Sequence, residues 1–508
     1  MYVHVYVYVY VYVDVDVTRS LNGNMNRLAL HPRAAPGDRL QVWLGAFDRA
    51  SVPGLTWMLD GSPVTPTAVA PLASARPAPA MVSAGSRRTF TGVFEMSGAS
   101  ILPGSFHRVE VRADDGSSAR LDTRTLMDEV PGGFEWFNVL LVSCFHRDED
   151  KQGFAGSLAS SLPPFYKPHL SILLGDQVYL DLPTLRNFHS DVSWLANDFE
   201  GKYNANWRGP DGYARLLSAA PSVSTPDDHE FWNDFPRRQI HIPPTWNEGG
   251  RTAWRDAASA MWRAYQAPIP SGGAGPAFTL DVRPLSFFVL DTRSERQADA
   301  SRALSPAMLA QFRAWTKRLE VERLVGVIAS GQSFMDPRVR MSATDLTLAT
   351  HGDYPDLVSA LDSVIAAGLP LLLLAGDVHY GRVTRVVDSR SGRALLHEVI
   401  SSPSSLVTTI FRDQVRTIGA AIGSIFGRRN PWPRHGDPGD PPPHFGSEVL
   451  GGRMAASAIH RQKGNMVAVL SFRRAGFGVE LRVRYWPIDP KWSVDRPVDV
   501  TPIELRAG

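Results

Sequence analysis

Residues 169–181 read HLSILLGDQVYLD, an apolar run that ends abruptly in Gly-Asp. Continuous apolar runs of this length are typical of strands that are buried on both faces. Similar runs alternate with amphipathic stretches, and capping and periodicity predict helices that begin at Ser305-Pro306 and that cover Pro355–Ala367. The further runs are FNVLLVS (137–143), LSFFVLDT (285–292), LVGVIAS (324–330) and PLLLLAG (370–376). This alternation predicts an α/β fold in which helices cover both faces of a sheet.

The chain divides into two predicted domains. Residues 26–130 hold short strand-like runs separated by turn residues, which predict a small N-terminal β-sandwich domain. Residues 135–508 carry the α/β pattern and close with a predicted hairpin over 466–487 whose turn is Ala475-Gly476. A Pro-, Gly- and Arg-rich stretch near 427–446 predicts a mobile loop.

The first residues have an unusual composition. Valine alternates with polar or aromatic residues across 1–17, and residues 1–25 are interpreted as a low-complexity extension, with a pairing β-segment as the alternative. They lack the basic and continuous apolar regions of a signal peptide, so a cytoplasmic location is expected. A misassigned start would instead allow an exported protein.

Overall composition excludes several classes of protein. The chain has 508 residues, 44% of them hydrophobic, which rules out wholesale disorder. Lys+Arg number 53 against 51 for Asp+Glu, so no electrostatic footprint for nucleic acid is present. The single cysteine, Cys144, excludes an intramolecular disulfide. No stretch approaches the ~20 apolar residues of a membrane-spanning helix, and the sequence leaves the oligomeric state open.

Side chains that can bind metals cluster where the predicted strands end. Ligands of α/β proteins gather at the carboxyl ends of strands. Each residue alone also fits a structural role, as a buried cysteine, a helix cap or a solvated loop residue. Together they predict a site that binds more than one metal ion. The strand-end segments are Cys144-Phe145-His146, Asp176 with Tyr179 and Asp181, Asp227-Asp228-His229-Glu230, and Asp377 with His379.

These segments resemble the PhoD-like alkaline phosphatases and phosphodiesterases of the calcineurin-like metallophosphatase superfamily. The resemblance covers about 250 residues in family order and implies a four-layer αββα core preceded by an Ig-like β-domain. The matching stretches are SCF (143–145), LLGDQVYLD (173–181), DDHEFWNDF (227–235), FFVLDTRSER (287–296), HGDYPD (351–356) and LLAGDVHYGR (373–382).

The resemblance also implies a set of metal ligands. Asp176 is expected to bridge two ions, one of them Fe³⁺ and the other divalent, with Ca²⁺ favoured over Mn²⁺ or Mg²⁺. His146 departs from the family pattern and is either an extra iron ligand or a neighbour of the ligands. The superfamily has a further histidine where this chain has Ser330-Gly331-Gln332-Ser333, so one metal position is in question. The expected ligands are Cys144, His146, Asp176, Tyr179, Asp228, Asp377 and His379.

The expected reaction is hydrolysis of a small phosphate ester, either a monoester or a diester, by a metal-bound hydroxide. Asp228 and His229 are the expected catalytic residues, His229 as a general acid oriented by Glu230 or a neighbouring aspartate. Arg293 or Arg296 is expected to hold phosphate oxygens, with a surface salt bridge as the alternative. The rival hypotheses are a degenerate binding module that keeps the fold and a structural role of the N-terminal segment.

Overall fold

The computed structural model describes most of the chain. The predicted extension at 1–25 lies outside the described residues, as does the predicted loop at 427–446 apart from two isolated positions. The described residues are 27–77, 86–150, 153–183, 188–209, 212–239, 242–269, 276–339, 346–389, 391–407, 439, 441, 454–476, 478–488 and 496–506.

The first third of the described chain is all β. Alternate side chains of β7 are buried, as expected for a strand with one face toward a core. A hydrophobic cluster that includes Trp57, Phe94 and Val109 joins β1, β2 and β6 to the four-stranded sheet β4-β3-β7-β8. The strands are β1 Leu28–Arg33, β2 Arg39–Arg49, β3 Leu55–Leu59, β4 Ser62–Val64, β5 Thr67–Ser74, β6 Arg88–Ser97, β7 Phe106–Ala113 and β8 Ser118–Arg124.

The remainder alternates strands and helices. The strands are β9 Phe137–Val142, β10 Leu170–Leu174, β11 Ser222–Thr225, β12 Phe278–Val282, β13 Leu285–Leu290, β14 Val325–Ser330, β15 Leu371–Ala375, β16 Gly381–Asp388, β17 Ala394–Ile400, β18 Met454–Gln462, β19 Met466–Ala475, β20 Gly478–Pro487, β21 Val498–Asp499 and β22 Ile503–Arg506. The helices are α1 Phe154–Ser161, α2 Val192–Trp207, α3 Tyr213–Leu217, α4 Glu248–Tyr265, α5 Pro306–Glu322 and α6 Tyr354–Ala366. The five apolar runs of the sequence are therefore all strands, and the predicted hairpin is β19–β20.

The parallel strands belong to two sheets, whereas the alternation of strands and helices by itself predicts one. The four-layer core that the resemblance implies also requires two sheets. The larger sheet has the order β21-β20-β19-β9-β10-β11-β1-β2-β6-β5, and the second has the order β12-β13-β14-β15-β17-β16-β18. One hydrophobic cluster contains strand residues of both sheets, including Leu141 and Phe287. Two others join α1–α4 to the larger sheet and α5–α6 to the second. The single-sheet expectation failed because uniformly apolar strands do not reveal what covers each face.

The N-terminal strands continue the larger sheet. β1 pairs with β11 in parallel, with Arg33 opposite Ser222, and with β2 in antiparallel. The predicted boundary near residue 130 therefore separates two stretches of sequence that share one sheet.

The helix ends follow their sequence signals. Ser305 Oγ accepts a hydrogen bond from Met308 N at 3.1 Å, which caps α5 as its Ser-Pro start predicts. The face that carries Phe312, Trp315 and Leu319 is buried. No helix among the described residues combines the length and hydrophobicity needed to cross a membrane.

The two sheets approach each other closely at their carboxyl ends. A Cβ placed on Gly376, after β15, would lie 2.2 Å from the carbonyl oxygen of Leu174 at the end of β10 and 2.7 Å from Ser143 Cβ after β9. Only glycine fits this contact. The close approach of the two sheets thus explains why residue 376 is glycine. The next residue, Asp377, lies at the same sheet ends as Asp176.

Candidate metal-binding site

The site lies where strands of the two sheets end. Cys144 follows β9, Asp176 follows β10 and Asp377 follows β15, and all three have a positive φ, between 49° and 63°. Non-glycine residues rarely adopt this left-handed conformation, which costs about 1–3 kcal/mol each and is concentrated at functional sites. The turns bring the side chains together: Cys144 Sγ lies 3.4 Å from Asp176 Oδ2 and 3.8 Å from the carbonyl oxygen of Asp377.

Two groups of metal-ligating side chains share Asp176. In the first, ligand atoms of Asp176, Asp228 and His229 lie within 4.8 Å of one another, and in the second the same holds for Asp176, Asp227 and Asp377. All except Asp377 are buried. Burial raises the pKa of Asp176 well above its usual range, and the carboxylates of Asp228 and Asp227 raise it further. Buried carboxylates at this density require compensating positive charge, so the geometry fits cations.

Cys144 is fully buried, and its sulfur accepts hydrogen bonds from two serine hydroxyls. Ser402 Oγ lies 3.2 Å and Ser143 Oγ 3.6 Å from its Sγ. Burial raises the pKa of the Cys144 thiol well above its usual value, and Asp176 and Asp377 add to the rise. A thiolate would therefore form only beside a bound cation.

The phenol of Tyr179 is likewise buried beside carboxylates. Within the described residues its buried Oη has no hydrogen-bond partner. Its ring packs against His229, with centroids 4.2 Å apart, and edge-on against His146, with centroids 5.4 Å apart. Burial raises the pKa of the phenol well above 10, and Cys144 and Asp176 raise it further. Buried polar atoms normally have a hydrogen-bond partner. A phenol oxygen that lies beside carboxylates and has none is therefore a candidate ligand for a metal ion.

His229 is held by an aspartate. Its Nδ1 lies 2.8 Å from Asp181 Oδ1, and the other oxygen of Asp181 accepts a hydrogen bond from Asn233 N at 2.9 Å. Burial by itself lowers the pKa of His229, but Asp181, Asp228 and Asp176 together raise it well above 6.5. The neighbouring carboxylates therefore favour the protonated imidazole.

Glu230 holds the backbone of the site. Its buried carboxylate accepts hydrogen bonds from Asp176 N at 2.8 Å, Gln177 N at 2.6 Å and Asp227 N at 3.0 Å, and from Gln266 Nε2 at 3.2 Å. Of the two groups expected to orient His229, Glu230 or a neighbouring aspartate, it is an aspartate, Asp181, that contacts its Nδ1. Burial raises the pKa of Glu230, and the backbone N–H donors oppose the rise.

Neither expected arginine is at the surface. Arg293 is buried and binds Asp227 through Nε at 2.6 Å, while its Nη1 donates to the Phe235 carbonyl at 3.2 Å. The surface salt bridge considered for Arg293 is thus wrong, and the ion pair directs the guanidinium to Asp227. Arg296 is also buried and donates to the carbonyls of Thr292 and Leu346 and to Gln332 Oε1.

The two groups contain three of the seven expected ligands and add Asp227 and His229. Asp176 belongs to both groups, Asp228 to the first and Asp377 to the second. Neither group includes Cys144, His146 or His379, although Cys144 Sγ lies in contact with Asp176 Oδ2. The backbone N–H of His379 donates to Ser402 Oγ at 3.3 Å. Gln332, in the segment that lacks the expected histidine, lies 3.5 Å from Asp377 Oδ2 through Nε2.

The expected ligand set does not include Asp227, Ser402 or Gln332, although Asp227 lies in one of the strand-end segments that predict a metal site. Asp227 directly precedes Asp228, so the paired aspartates were the available signal. The serine-rich run SSPSS (401–405) that follows an apolar strand was the signal for Ser402.

Comparisons with known proteins bear on the fold. No protein-family model matches the chain. No curated protein sequence matches it either. Its fold is similar to the solved structure described as "Structure of PhoD", with a TM-score of 0.57 and 14% identity over 94% of this chain and 92% of that one. A structure described as "GAP50 the anchor in the inner membrane complex of Plasmodium" has a TM-score of 0.34 and 8% identity over 73% of this chain and 89% of that one. The first comparison supports a PhoD-like fold.

Replacing Glu230 tests whether its carboxylate holds the site together. Glu230→Gln turns one acceptor oxygen into an amide donor that faces backbone N–H groups, so we expect the free energy of unfolding to fall by about 3 kcal/mol. The matched control is Glu110→Gln on the exposed face of β7, which should change it by less than about 0.5 kcal/mol. Urea denaturation measures both. Equal stability of the two variants would contradict the role of Glu230.

Proposed function

We propose that this protein is a metal-dependent phosphoesterase. The observation that carries the proposal is that Asp176 belongs to both groups of ligand atoms, as a carboxylate that bridges two ions must. The PhoD-like fold and the motif order of the sequence support the same reaction class.

The residues fit the two kinds of ion that the resemblance implies. Cys144 and Tyr179 supply a thiolate and a phenolate for Fe³⁺, and the orphaned Tyr179 Oη supports that assignment. Asp228 and Asp377, with Asp227 added by the geometry, suit a divalent ion such as Ca²⁺, Mn²⁺ or Mg²⁺. His146 and His379 complete the proposed ligand set. When bound, such ions lower the pKa of water and neutralise charge on phosphate.

His229 is the proposed general acid. Asp181 fixes its Nδ1, which leaves Nε2 to give a proton to the leaving alkoxide. The carboxylates of Asp181, Asp228 and Asp176 raise its pKa, which favours the protonated form that a general acid needs. Arg293, bound to Asp227, positions that carboxylate and does not itself reach the substrate in this proposal.

The proposal extends to architecture and substrate. We assign the chain to the PhoD-like family, with a four-layer αββα core suggested by the three hydrophobic clusters around the two sheets, and with an Ig-like N-terminal domain. The substrate is a small phosphate monoester or diester. A binding module without turnover would keep the same ligands, and steady-state hydrolysis of p-nitrophenyl mono- and diesters by metal-analysed protein separates the two.

Removing the imidazole tests the acid role. His229→Ala should slow hydrolysis by roughly 10²–10⁴ for alkyl esters, which need a proton on the leaving group, and much less for p-nitrophenyl esters. The metal content should stay that of the wild type. A loss of metal would make His229 a ligand, and an equal loss of rate across leaving groups would remove it from proton transfer.

The iron assignment predicts a coloured protein. A phenolate or thiolate on Fe³⁺ absorbs visible light through ligand-to-metal charge transfer, so Tyr179→Phe should shift or bleach the band of the iron-loaded protein while the ring packing is kept. The control is Tyr203→Phe, another buried tyrosine, whose Oη instead accepts a bond from Gln266 Nε2 at 3.0 Å. A visible spectrum that Tyr179→Phe and Cys144→Ser leave unchanged would contradict this iron site.

A further inference from the structure

Side chains of the N-terminal strands bind the C-terminal ends of two helices. His31 on β1 donates through Nε2 to the carbonyl of Trp207, the last residue of α2, at 2.9 Å. Trp43 on β2 lies opposite His31 and donates through Nε1 to the Ala264 carbonyl, in the last turn of α4, at 2.7 Å. The last four carbonyls of a helix have no partner within the helix. The N-terminal strands therefore supply donors that these two helices lack.

Arg33, also on β1, holds the end of α4 with two donors. Its Nη1 donates to the Gln266 carbonyl at 3.0 Å, and its Nη2 donates to the Tyr265 carbonyl. Tyr265 is the last residue of α4 and Gln266 is its C-cap, and both are buried. Desolvation lowers the pKa of the partly buried Arg33 only to about 10, so the guanidinium is charged at neutral pH beside the negative end of the helix. The two bonds fix the backbone of Gln266.

The side chain of Gln266 connects the end of α4 to Glu230. Its Nε2 donates to Glu230 Oε1 at 3.2 Å and to Tyr203 Oη at 3.0 Å, which uses both amide protons. Glu230 in turn accepts the backbone N–H groups of Asp176 and Asp227, two members of the ligand groups. A continuous series of hydrogen bonds therefore runs from β1 to the two turns that carry these carboxylates.

We propose that Arg33 is a positioning residue for the candidate metal site and acts through Gln266 on Glu230. The inference rests on the proposed function for the nature of the site, and it makes the N-terminal strands part of the structure that holds the metal ligands. Without the Arg33 donors, two buried carbonyls at the end of α4 lack partners, which favours fraying of the last turn. Gln266 then loses its place beside Glu230, and the turns at Asp176 and Asp227 are held less firmly.

The backbone of Arg33 offers a second route to the site. Arg33 is the β1 residue that pairs with β11, opposite Ser222, and Ala34 N donates to the Ser222 carbonyl at 2.9 Å. A substitution of the Arg33 side chain leaves these backbone contacts in place. If the side chain acts through Gln266, substituting both residues should do no more than substituting Gln266 alone, whereas independent effects should add.

Hydrogen–deuterium exchange of the metal-free protein tests the inference without a bound metal or turnover. We expect Gln266→Met and Arg33→Met to speed exchange of the three backbone N–H groups that Glu230 accepts by about tenfold, and the double variant to match Gln266→Met. The amides of β13–β15 should not change, because a local effect does not reach the second sheet. The control is His31→Phe, which removes a donor from the same strand to α2 and should leave the exchange of those three groups at the wild-type rate.

Metal affinity is the second measurement. In Mn²⁺ titrations of chelator-treated protein, followed by electron paramagnetic resonance, Gln266→Met should weaken binding by roughly 10–100-fold, the usual effect of removing a group that supports the ligands. Arg33→Met should weaken binding less, and should add nothing when it is combined with Gln266→Met. Arg33→Lys, which keeps one donor group, should recover part of the loss, and His31→Phe should bind Mn²⁺ like the wild type.

Four results would overturn the inference. These are exchange of the three N–H groups that Arg33→Met leaves unchanged, effects of Arg33→Met and Gln266→Met that add, Mn²⁺ affinity that neither variant lowers, or the same changes in His31→Phe. If the wild type binds no Mn²⁺, the proposed function fails, and the exchange measurement alone decides the inference. If Arg33→Met does not fold, Arg33→Lys takes its place in both measurements.

Discussion

The carboxylate of Glu230 joins the loops on which the candidate site is built. Its two oxygens accept backbone N–H groups from Asp176 and Gln177 after β10 and from Asp227 after β11. These contacts fix the left-handed turn at Asp176, which costs energy by itself and persists only if its surroundings determine it. Because Asp176 belongs to both ligand groups, this turn sets the place where the two groups meet.

A second constraint is electrostatic. The site buries Asp176, Asp227, Asp228 and His229 beside a cysteine and a tyrosine whose pKa values are raised by the same burial. Arg293 compensates Asp227, and Asp181 compensates His229. A cation would offset the remaining negative charge, and it would give the phenol oxygen of Tyr179 a partner. The polypeptide therefore folds into a site whose charge favours metal uptake.

The sequence predicted the strands, and it indicated candidate ligands at their ends, because apolar runs followed by Asp, Cys or His are local signals. Apolar periodicity alone could not show that the strands divide between two sheets, since uniformly buried strands look alike whatever covers them. Two sheets were expected only from the family resemblance. Nor could the sequence assign partners across the chain: Asp181 and Glu230 were both visible, but only the fold shows that the first holds His229 and the second holds the backbone. The sequence also gave no sign that Arg293 pairs with Asp227, because a phosphate and a buried aspartate attract the same guanidinium group.

Metal stoichiometry tests most directly whether Asp176 binds both metal ions. Inductively coupled plasma mass spectrometry of the wild type should find two metal ions per chain, and Asp176→Ala should lose both ions together. Asp356→Ala, at an exposed aspartate paired with Arg313, should retain them. An Asp176→Ala variant that is folded and keeps one ion at full occupancy would contradict the bridging role, and one that keeps both would contradict the site.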